Sequence, residues 1–351
     1  MKKFLAIALV AVMALSIVGC SGSDTQIDIN AAAGAGAGQT NLVYGDFIYA
    51  VNEGGNYEIT GYTYSGAANK AVVIPDEIEG RPVTGIADSA FKSVTTMTAV
   101  TLPKSLEYIS DSAFYGCNLL TSVTVPATVT SIGDNAFQAC TSLEAVTFAE
   151  NSALAELGKY AFFGCTSLKA MSIATPLNAV AEGAFHGCAA LAEVNLPATV
   201  ESIENSAFYG CSNLAKLTFA EGCVLKTIGT SAFSGCTALA SIDLPTSLEV
   251  IGERAFFECK SIKEIVVPAT VNTVKTGAFA SCDSLEQITF LNDSITIGNA
   301  EEGEVDPDAR LFVKVITPNS PVLKIIAPAK SNAANYAEKV GIPCEAPAAV
   351  N

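Results

Sequence analysis

The sequence predicts a repeat solenoid that is mainly β, with short turns and helical segments and a cap at each end. The first observation is that the pair Ala-Phe recurs nine times, at intervals of 23 or 25 residues. The second is a short run in each interval in which apolar and polar residues alternate, as in a strand with one buried face. A unit this short cannot bury its apolar face alone, so successive units must stack. The repeated residues are Phe91, Phe114, Phe137, Phe162, Phe185, Phe208, Phe233, Phe256 and Phe279.

One unit, residues 113–135, shows how each coil is built. Val123 and Val125 alternate with polar residues and predict the buried side of a strand. Pro126 then ends the strand, because proline has no N–H to donate to a ladder. Ile132 belongs to a second, shorter apolar segment that precedes the next Ala-Phe. Two units are two residues longer, and the added residues fall in the turn after the strand, where a stacked coil tolerates them best.

This unit resembles the BspA-like leucine-rich repeat family of bacterial surface lipoproteins, whose units have the form LxxVxLPxxVxxIGxxAFxxC. The resemblance covers residues 70–297 and implies a leucine-rich repeat fold. Residues 42–69 are similar to the hairpin that caps such arrays at the N-terminus, and residues 298–351 contain an acidic loop and then an element similar to the α/β closing cap. In that closing cap we expect Ser331 to begin a short helix and Gly341 to end it.

Residues 1–19 are predicted to be a lipoprotein signal peptide. The apolar run at 4–18 follows two lysines, and a helix of that length reaches only about 22 Å, short of the ~30 Å hydrocarbon core. The run ends in IVGC at residues 17–20, which resembles a bacterial lipobox. The resemblance implies a lipidated Cys20, a flexible tether at 20–41, and an extracytoplasmic protein held at the cell membrane or cell surface by its lipid alone. Ordinary secretion with cleavage near the same place is the alternative.

Eight cysteines each lie three residues after a repeated Phe and should stack as a ladder. They are Cys117, Cys140, Cys165, Cys188, Cys211, Cys236, Cys259 and Cys282. Val94 fills the same position in the first unit, which indicates a packing position, and parallel Cβ vectors at the ~4.8 Å strand spacing hold the sulfurs apart. We therefore expect buried free thiols, with ladder disulfides or metal sites as the alternative. Cys223 and Cys344 lie outside the ladder.

The composition argues against several classes of function. A net charge of −16 is unfavourable for binding nucleic acid, which needs a basic surface. His186 is the only histidine, which excludes multi-histidine metal sites, and no GxSxG, HExxH or CxxC motif is present. We expect no enzyme activity, no cofactor and no metal site. The acidic residues Glu301, Glu302, Glu304, Asp306 and Asp308 lack the spacing of a calcium loop and are interpreted as a solvated loop.

A binding protein of this kind has two candidate surfaces. One is the outward side of the strands, where charge is concentrated at Glu193, Lys216, Asp243 and Glu264. This side has no aromatic residues, and so lacks the usual anchors for sugars or for tight protein contacts. The other is an edge row of residues that directly follow a repeated Phe, namely Tyr115, Phe163, His186, Tyr209 and Phe257. These rings either lie over their neighbours' turns or form an interaction patch.

The predicted function is non-catalytic binding of a protein or another cell-surface macromolecule. The family resemblance implies adhesion to host extracellular proteins or to other cells. An envelope scaffold or a polysaccharide-binding surface protein is the alternative, and substrate capture for a surface degradation system is a third possibility. The sequence does not predict the oligomeric state.

Overall fold

A computed structural model describes residues 41–63, 70–172, 176–298, 311–312 and 323–347 of the 351-residue chain. The signal peptide, Cys20, nearly all of the tether and the acidic residues 301–308 lie outside the described residues, so those interpretations stay predictions. The described chain winds into a mainly β solenoid, which confirms the predicted fold class.

Most coils contribute one long and one short strand, so two ladders of parallel strands run along the array. The long strands are Lys70–Val73, Met97–Thr101, Ser122–Val125, Ala145–Phe148, Ala170–Ser172, Glu193–Leu196, Lys216–Phe219, Glu264–Val267, Gln287–Phe290 and Lys324–Ile326. The short-strand ladder begins with Arg81–Ile86 and continues with Tyr108–Ile109, Ser131–Ile132, Glu156–Leu157, Ala179–Val180, Ser202–Ile203, Thr227–Ile228, Val250–Ile251, Thr273–Val274 and Thr296–Ile297. Parallel pairing places equivalent residues of successive coils opposite each other.

The long-strand ladder is interrupted between Met97–Thr101 and Ser122–Val125, and two further irregularities follow the two longer units. After the first, the adjoining strands pair only at Ala145 and Ala170. After the second, residues 239–245 form no strand. We attribute both to the two added residues, which lengthen the turn that leads to the next coil. Asp243 is therefore not on a paired strand, so the strand prediction was wrong there, although Ile242 and Leu244 on either side of it stay buried.

The core of the array is a stack of phenylalanine rings. All nine repeated Phe side chains are at most 1% exposed, and successive ring centroids are 5.1–5.6 Å apart with interplanar angles of 4–10°. The stack continues into both caps, since Tyr62 packs on Phe91 at 5.4 Å and Phe312 packs on Phe279 at 6.1 Å. The caps therefore cover the ends of an apolar core that would otherwise face water.

The cysteine ladder runs beside the ring stack, and each of its thiols has a hydrogen-bond partner. Every ladder Sγ donates to the carbonyl oxygen of the repeated Phe in the preceding coil, at 3.1–3.3 Å. The ten described cysteines are all free thiols, which bears out the expectation for the ladder. The S–H donor explains why the position holds cysteine more often than an apolar residue of similar size. Burial raises the pKa of the Cys188 thiol to about 12.

We expect the ladder thiols to resist alkylation in the folded protein, while the exposed Cys344 reacts. The thiolate is the reactive form, and burial disfavours it. Peptide mass spectrometry after iodoacetamide treatment of native and denatured protein measures this at each cysteine. Cys344→Ser is the control that removes the Cys344 signal, and the half-buried Cys223 is followed as a separate peptide. Modification of the ladder in the native protein would contradict the burial.

The N-terminal cap is a three-stranded antiparallel sheet that pairs with the first coil. Its antiparallel strands are Leu42–Tyr44, Phe47–Val51 and Tyr57–Tyr62, and a further hairpin joins Glu77–Ile78 to Arg81–Ile86. Tyr57–Tyr62 also pairs in parallel with Arg81–Ile86, which connects the cap to the short-strand ladder. The Tyr108 hydroxyl donates to the Glu58 carboxylate at 2.7 Å. The Tyr108 ring lies where Gly85 has no side chain, because a Cβ there would be 2.2 Å from the ring.

The C-terminal cap contains the helix Asn332–Val340 and the strand Cys344–Glu345, which pairs with Lys324–Ile326. The helix has the predicted caps: the Ser331 side chain accepts a hydrogen bond from the N–H of Ala334 at 3.1 Å, and Gly341 has a φ of 72°. Within the described parts of the chain, no helix has the length and apolar character needed to cross a membrane.

Candidate functional site

The turn after each repeated Phe places one side chain outside the ring stack. In chain order this position holds Lys92, Tyr115, Gln138, Phe163, His186, Tyr209, Ser234, Phe257 and Ala280. Three of the predicted residues meet here: the ring centroids of Phe163 and His186 are 4.8 Å apart, and those of His186 and Tyr209 are 4.6 Å apart. We call these three residues the aromatic run. Gln138 separates it from Tyr115, and Ser234 separates it from Phe257, so the predicted row is not continuous.

Tyr160 extends the aromatic run, although the spacing of the row does not predict it. Its ring meets Phe163 edge to face at a centroid distance of 6.0 Å. The ring lies over Gly183, where a Cβ would be 2.2 Å from it. Tyr160 also has a φ of 56°, a left-handed conformation that is unfavourable for a bulky residue. A tyrosine followed by a glycine at the same position of the next coil is the sequence signal that could have indicated this contact.

An ion pair fixes the position of Tyr160 beside the run. The Tyr160 hydroxyl donates to one carboxylate oxygen of Glu182 at 2.9 Å, and the Lys159 ammonium approaches the other at 3.1 Å. Both contacts lower the pKa of Glu182, the hydroxyl more strongly. Burial lowers the pKa of His186, so its imidazole is neutral near pH 7. The aromatic run is therefore an uncharged surface on an acidic protein.

The charged residues predicted on the strand face do not form one cluster. Glu193 and Lys216 lie opposite each other on paired strands, and their charged atoms are 2.6 Å apart. Glu264 is exposed on a separate segment of the ladder, and the unpaired segment that carries Asp243 lies between. An acidic and a basic group that neutralise each other offer little net charge to a partner. The strand face is therefore the weaker of the two candidate surfaces.

A groove of about 570 Å³ follows the short strands between residues 88 and 204. Asp88, Asp111 and Asp134 line it at equivalent positions of successive coils. The Asp111 carboxylate accepts the N–H of Asp134 at 2.7 Å, and the Asp134 carboxylate accepts the N–H of Lys159 at 2.6 Å. The Asp111 and Asp134 side chains thus satisfy backbone groups of the next coil. Among the described residues, no group of three or more His, Cys, Asp or Glu side chains is arranged to hold a metal ion.

Comparisons with known proteins agree with this architecture. The family model of the BspA type leucine rich repeat region matches residues 58–192 and 178–300. The chain is similar to the T. pallidum leucine rich repeat protein TpLRR, with 31% identity over 57% of this chain and 91% of that chain and a TM-score of 0.50. It is also similar in fold to a leucine rich cell surface protein from Faecalibacterium prausnitzii A2-165, with 22% identity, 80% and 96% of the two chains covered and a TM-score of 0.45. The pneumococcal vaccine antigen PcpA has 18% identity, 90% and 100% coverage and a TM-score of 0.42. No curated protein sequence matches this chain.

Proposed function

This chain belongs to the BspA type leucine-rich repeat family, and from that premise we propose that it binds another macromolecule at the cell surface without catalysing a reaction. A leucine-rich repeat solenoid is generally a binding scaffold, because stacked coils present a long and rigid surface on which side chains can vary. The proposed partner is a protein on a host extracellular surface or on another cell.

The proposed attachment to the cell is a lipid on Cys20. The support for it is the basic start, the short apolar run and the IVGC motif at residues 17–20. The residues up to 41 would then act as a tether of small and polar residues between the lipid and the first cap. The lipid would be the protein's attachment to the membrane.

The aromatic run is the observation that carries the binding proposal. Phe163, His186 and Tyr209 contact one another in series on three successive coils. Tyr209 is 41% exposed, and the other two are partly exposed. Rigid aromatic side chains of this kind supply large contact areas at little cost in conformational entropy, and they often dominate the energy of protein interfaces.

The test replaces Phe163, His186 and Tyr209 together with alanine. We expect the affinity of the purified chain for host matrix proteins and intact cells to fall by roughly tenfold or more, because the anchoring rings are lost. The matched control replaces Glu193 and Lys216 with alanine on the strand face and should bind like the wild type. Surface plasmon resonance on immobilised matrix proteins and flow cytometry on cells measure the two affinities.

A second arm of the same experiment follows the protein in cells. The Cys20→Ser variant should leave the membrane fraction for the medium, because it lacks the lipid-accepting thiol. Binding that persists after both candidate surfaces are changed would contradict the site. Binding confined to purified cell-wall polysaccharide, with no protein ligand, would favour an envelope scaffold instead.

A further inference from the structure

The groove along the short strands has a floor of small residues. Each coil places one residue directly after the buried apolar residue of its short strand, and in the groove this position holds Ser110, Gly133, Gly158 and Ala181. A Cβ on Gly133 would lie 2.4 Å from the Oδ1 of Asp111, and one on Gly158 would lie 2.3 Å from the carbonyl carbon of Gly133. The backbones of successive coils therefore meet here with no side chain between them, which leaves the surface concave.

Rows of larger side chains flank this floor. Tyr108 and Glu156 belong to the row two positions before it, and Asp111 and Asp134 belong to the row one position after it. In the coil after Ala181 the floor position holds Glu204, which interrupts the row of small residues. The volume of about 570 Å³ lies in the usual range for ligand-binding clefts.

The groove is strongly acidic. The carboxylates that line it belong to Asp88, Asp111, Asp134, Glu156 and Glu204. None of these five forms an ion pair with a basic residue of the described chain. The basic residue of the lining is Lys159, and its ammonium is already paired with Glu182 at 3.1 Å. The groove therefore presents negative charge that the protein itself does not neutralise.

Two of the aspartates are held in place and still have an oxygen to offer. Asp111 and Asp134 each use Oδ1 to accept a backbone N–H of the next coil, at 2.7 and 2.6 Å. Their Oδ2 atoms accept no hydrogen bond from another described residue. Because the backbone bonds already fix these carboxylates, a ligand does not have to order them when it binds.

We propose that the groove binds an extended basic segment of the partner protein, with lysine or arginine side chains against these carboxylates. The inference rests on the proposed function and adds a second contact beside the aromatic run, since Lys159 at the groove directly precedes Tyr160 at the run. Guanidinium and ammonium groups donate several hydrogen bonds and accept none, so they suit a row of free acceptors. The five coil steps from Asp88 to Glu204 span about 24 Å at the usual strand spacing, which an extended segment of about seven residues covers.

The groove suits a basic segment better than a metal ion. Within the part of the chain that the structure describes, no three His, Cys, Asp or Glu side chains are arranged to hold a metal. Equivalent aspartates are one coil apart, roughly 5 Å, whereas the oxygens around a calcium ion all lie within about 2.6 Å of it. Negative charges that are spread along a line match a row of positive charges and not a single ion.

Fluorescence anisotropy of a fluorescein-labelled peptide tests the proposal. The peptide has about eight residues in which arginine alternates with serine, so that an extended conformation places all the guanidinium groups on one side. We expect saturable binding to the purified chain with a dissociation constant on the order of 100 µM, because each solvated charge pair is weak. Binding should weaken severalfold as salt is raised. A peptide with citrulline in place of arginine keeps the shape without the charge and should not bind. Equal binding of the citrulline peptide would overturn the inference.

The groove variant replaces Asp88, Asp111 and Asp134 with asparagine. The amide oxygen of asparagine can still accept a backbone N–H, so the charge is removed while the hydrogen bonds to the next coil are kept. We expect the peptide to bind roughly tenfold more weakly. Circular dichroism establishes that the variant is folded, and unchanged peptide binding would refute the site.

A matched control makes the same change of charge outside the groove. It replaces three exposed carboxylates with glutamine, at Glu150, Glu221 and Glu249. This control should bind the peptide like the wild type, and a loss equal to that of the groove variant would show attraction by net charge alone, which would refute the groove. Calcium chloride is compared with sodium chloride at equal ionic strength. Displacement of the peptide by calcium only would indicate a metal site and overturn the inference.

Binding to matrix proteins and cells separates this inference from the proposed function. If the groove variant loses both the peptide and these partners, both are supported. If it loses the peptide but binds the partners like the wild type, the partner does not use the groove, so the inference fails and the function stands. If the wild type binds neither matrix proteins nor cells, the proposed function fails and the inference falls with it. The variant that lacks the aromatic run should still bind the peptide, because its three rings lie outside the groove.

Discussion

The Phe185→Ala substitution is expected to lower the free energy of unfolding by about 3–5 kcal/mol, the largest stability effect of any single change considered for this chain. Phe185 is fully buried and stacks on Phe162 at 5.6 Å and on Phe208 at 5.3 Å. Its removal leaves a cavity between two rings, and the neighbouring coils cannot close it without breaking their strand ladders.

The form of the unfolding curve should change as well. In a solenoid each coil is stabilised by its two neighbours, so weakening one interface in the middle uncouples the two halves. We therefore expect urea unfolding, followed by circular dichroism, to become less steep or to show two steps. Phe163→Ala removes a ring of the same size from the surface and should change the stability by at most about 1 kcal/mol. An unchanged midpoint for Phe185→Ala would show that the ring stack does not couple the coils.

The second large effect is expected for Gly158→Ala. A Cβ on Gly158 would lie 2.3 Å from the carbonyl carbon of Gly133 and 2.4 Å from the backbone nitrogen of Asp134. Those atoms belong to the backbone of the preceding coil and cannot rotate away as a side chain could. We expect a loss of about 3 kcal/mol, at the upper end of the range for overpacking.

Gly54→Ala is the matched control for this substitution. A Cβ on Gly54 would meet its nearest neighbour, the Oδ1 of Asn52, at an ordinary 3.5 Å. The control should be neutral, or stabilising by a few tenths of a kcal/mol through the unfolded chain. Thermal unfolding of the two variants and the wild type provides the comparison. Equal melting temperatures for Gly158→Ala and the wild type would mean that the two coils can move apart at this point without a loss of stability.

The sequence predicts the parts of the fold that repeat. The Ala-Phe interval, the alternation around Val123 and the proline after Val125 are sufficient to give the ring stack and the long strands. The missing strand at Asp243 could not be predicted, because the alternation of its neighbours is intact and the interruption comes from the longer turn before it. Periodicity reports which side chains are buried, but not whether the backbones of two coils are in register.

The repeat also predicts part of the candidate site. The position after each repeated Phe identifies Phe163, His186 and Tyr209, since equivalent positions of a solenoid lie side by side. It does not identify Tyr160, because this residue lies three positions before Phe163 and not directly after a repeated Phe. It also does not show which rings are in contact, because a single intervening residue such as Ser234 or Gln138 opens the row.

The ring stack also determines how the number of coils can change during evolution. Every coil offers its neighbours nearly the same surface, in which one Phe ring lies parallel to the next at about 5 Å. Two coils that were never adjacent can therefore become neighbours without a new core. Recombination between repeats can therefore add or remove whole units while the two caps are kept. The length of the array can then evolve separately from the surface that any one coil presents.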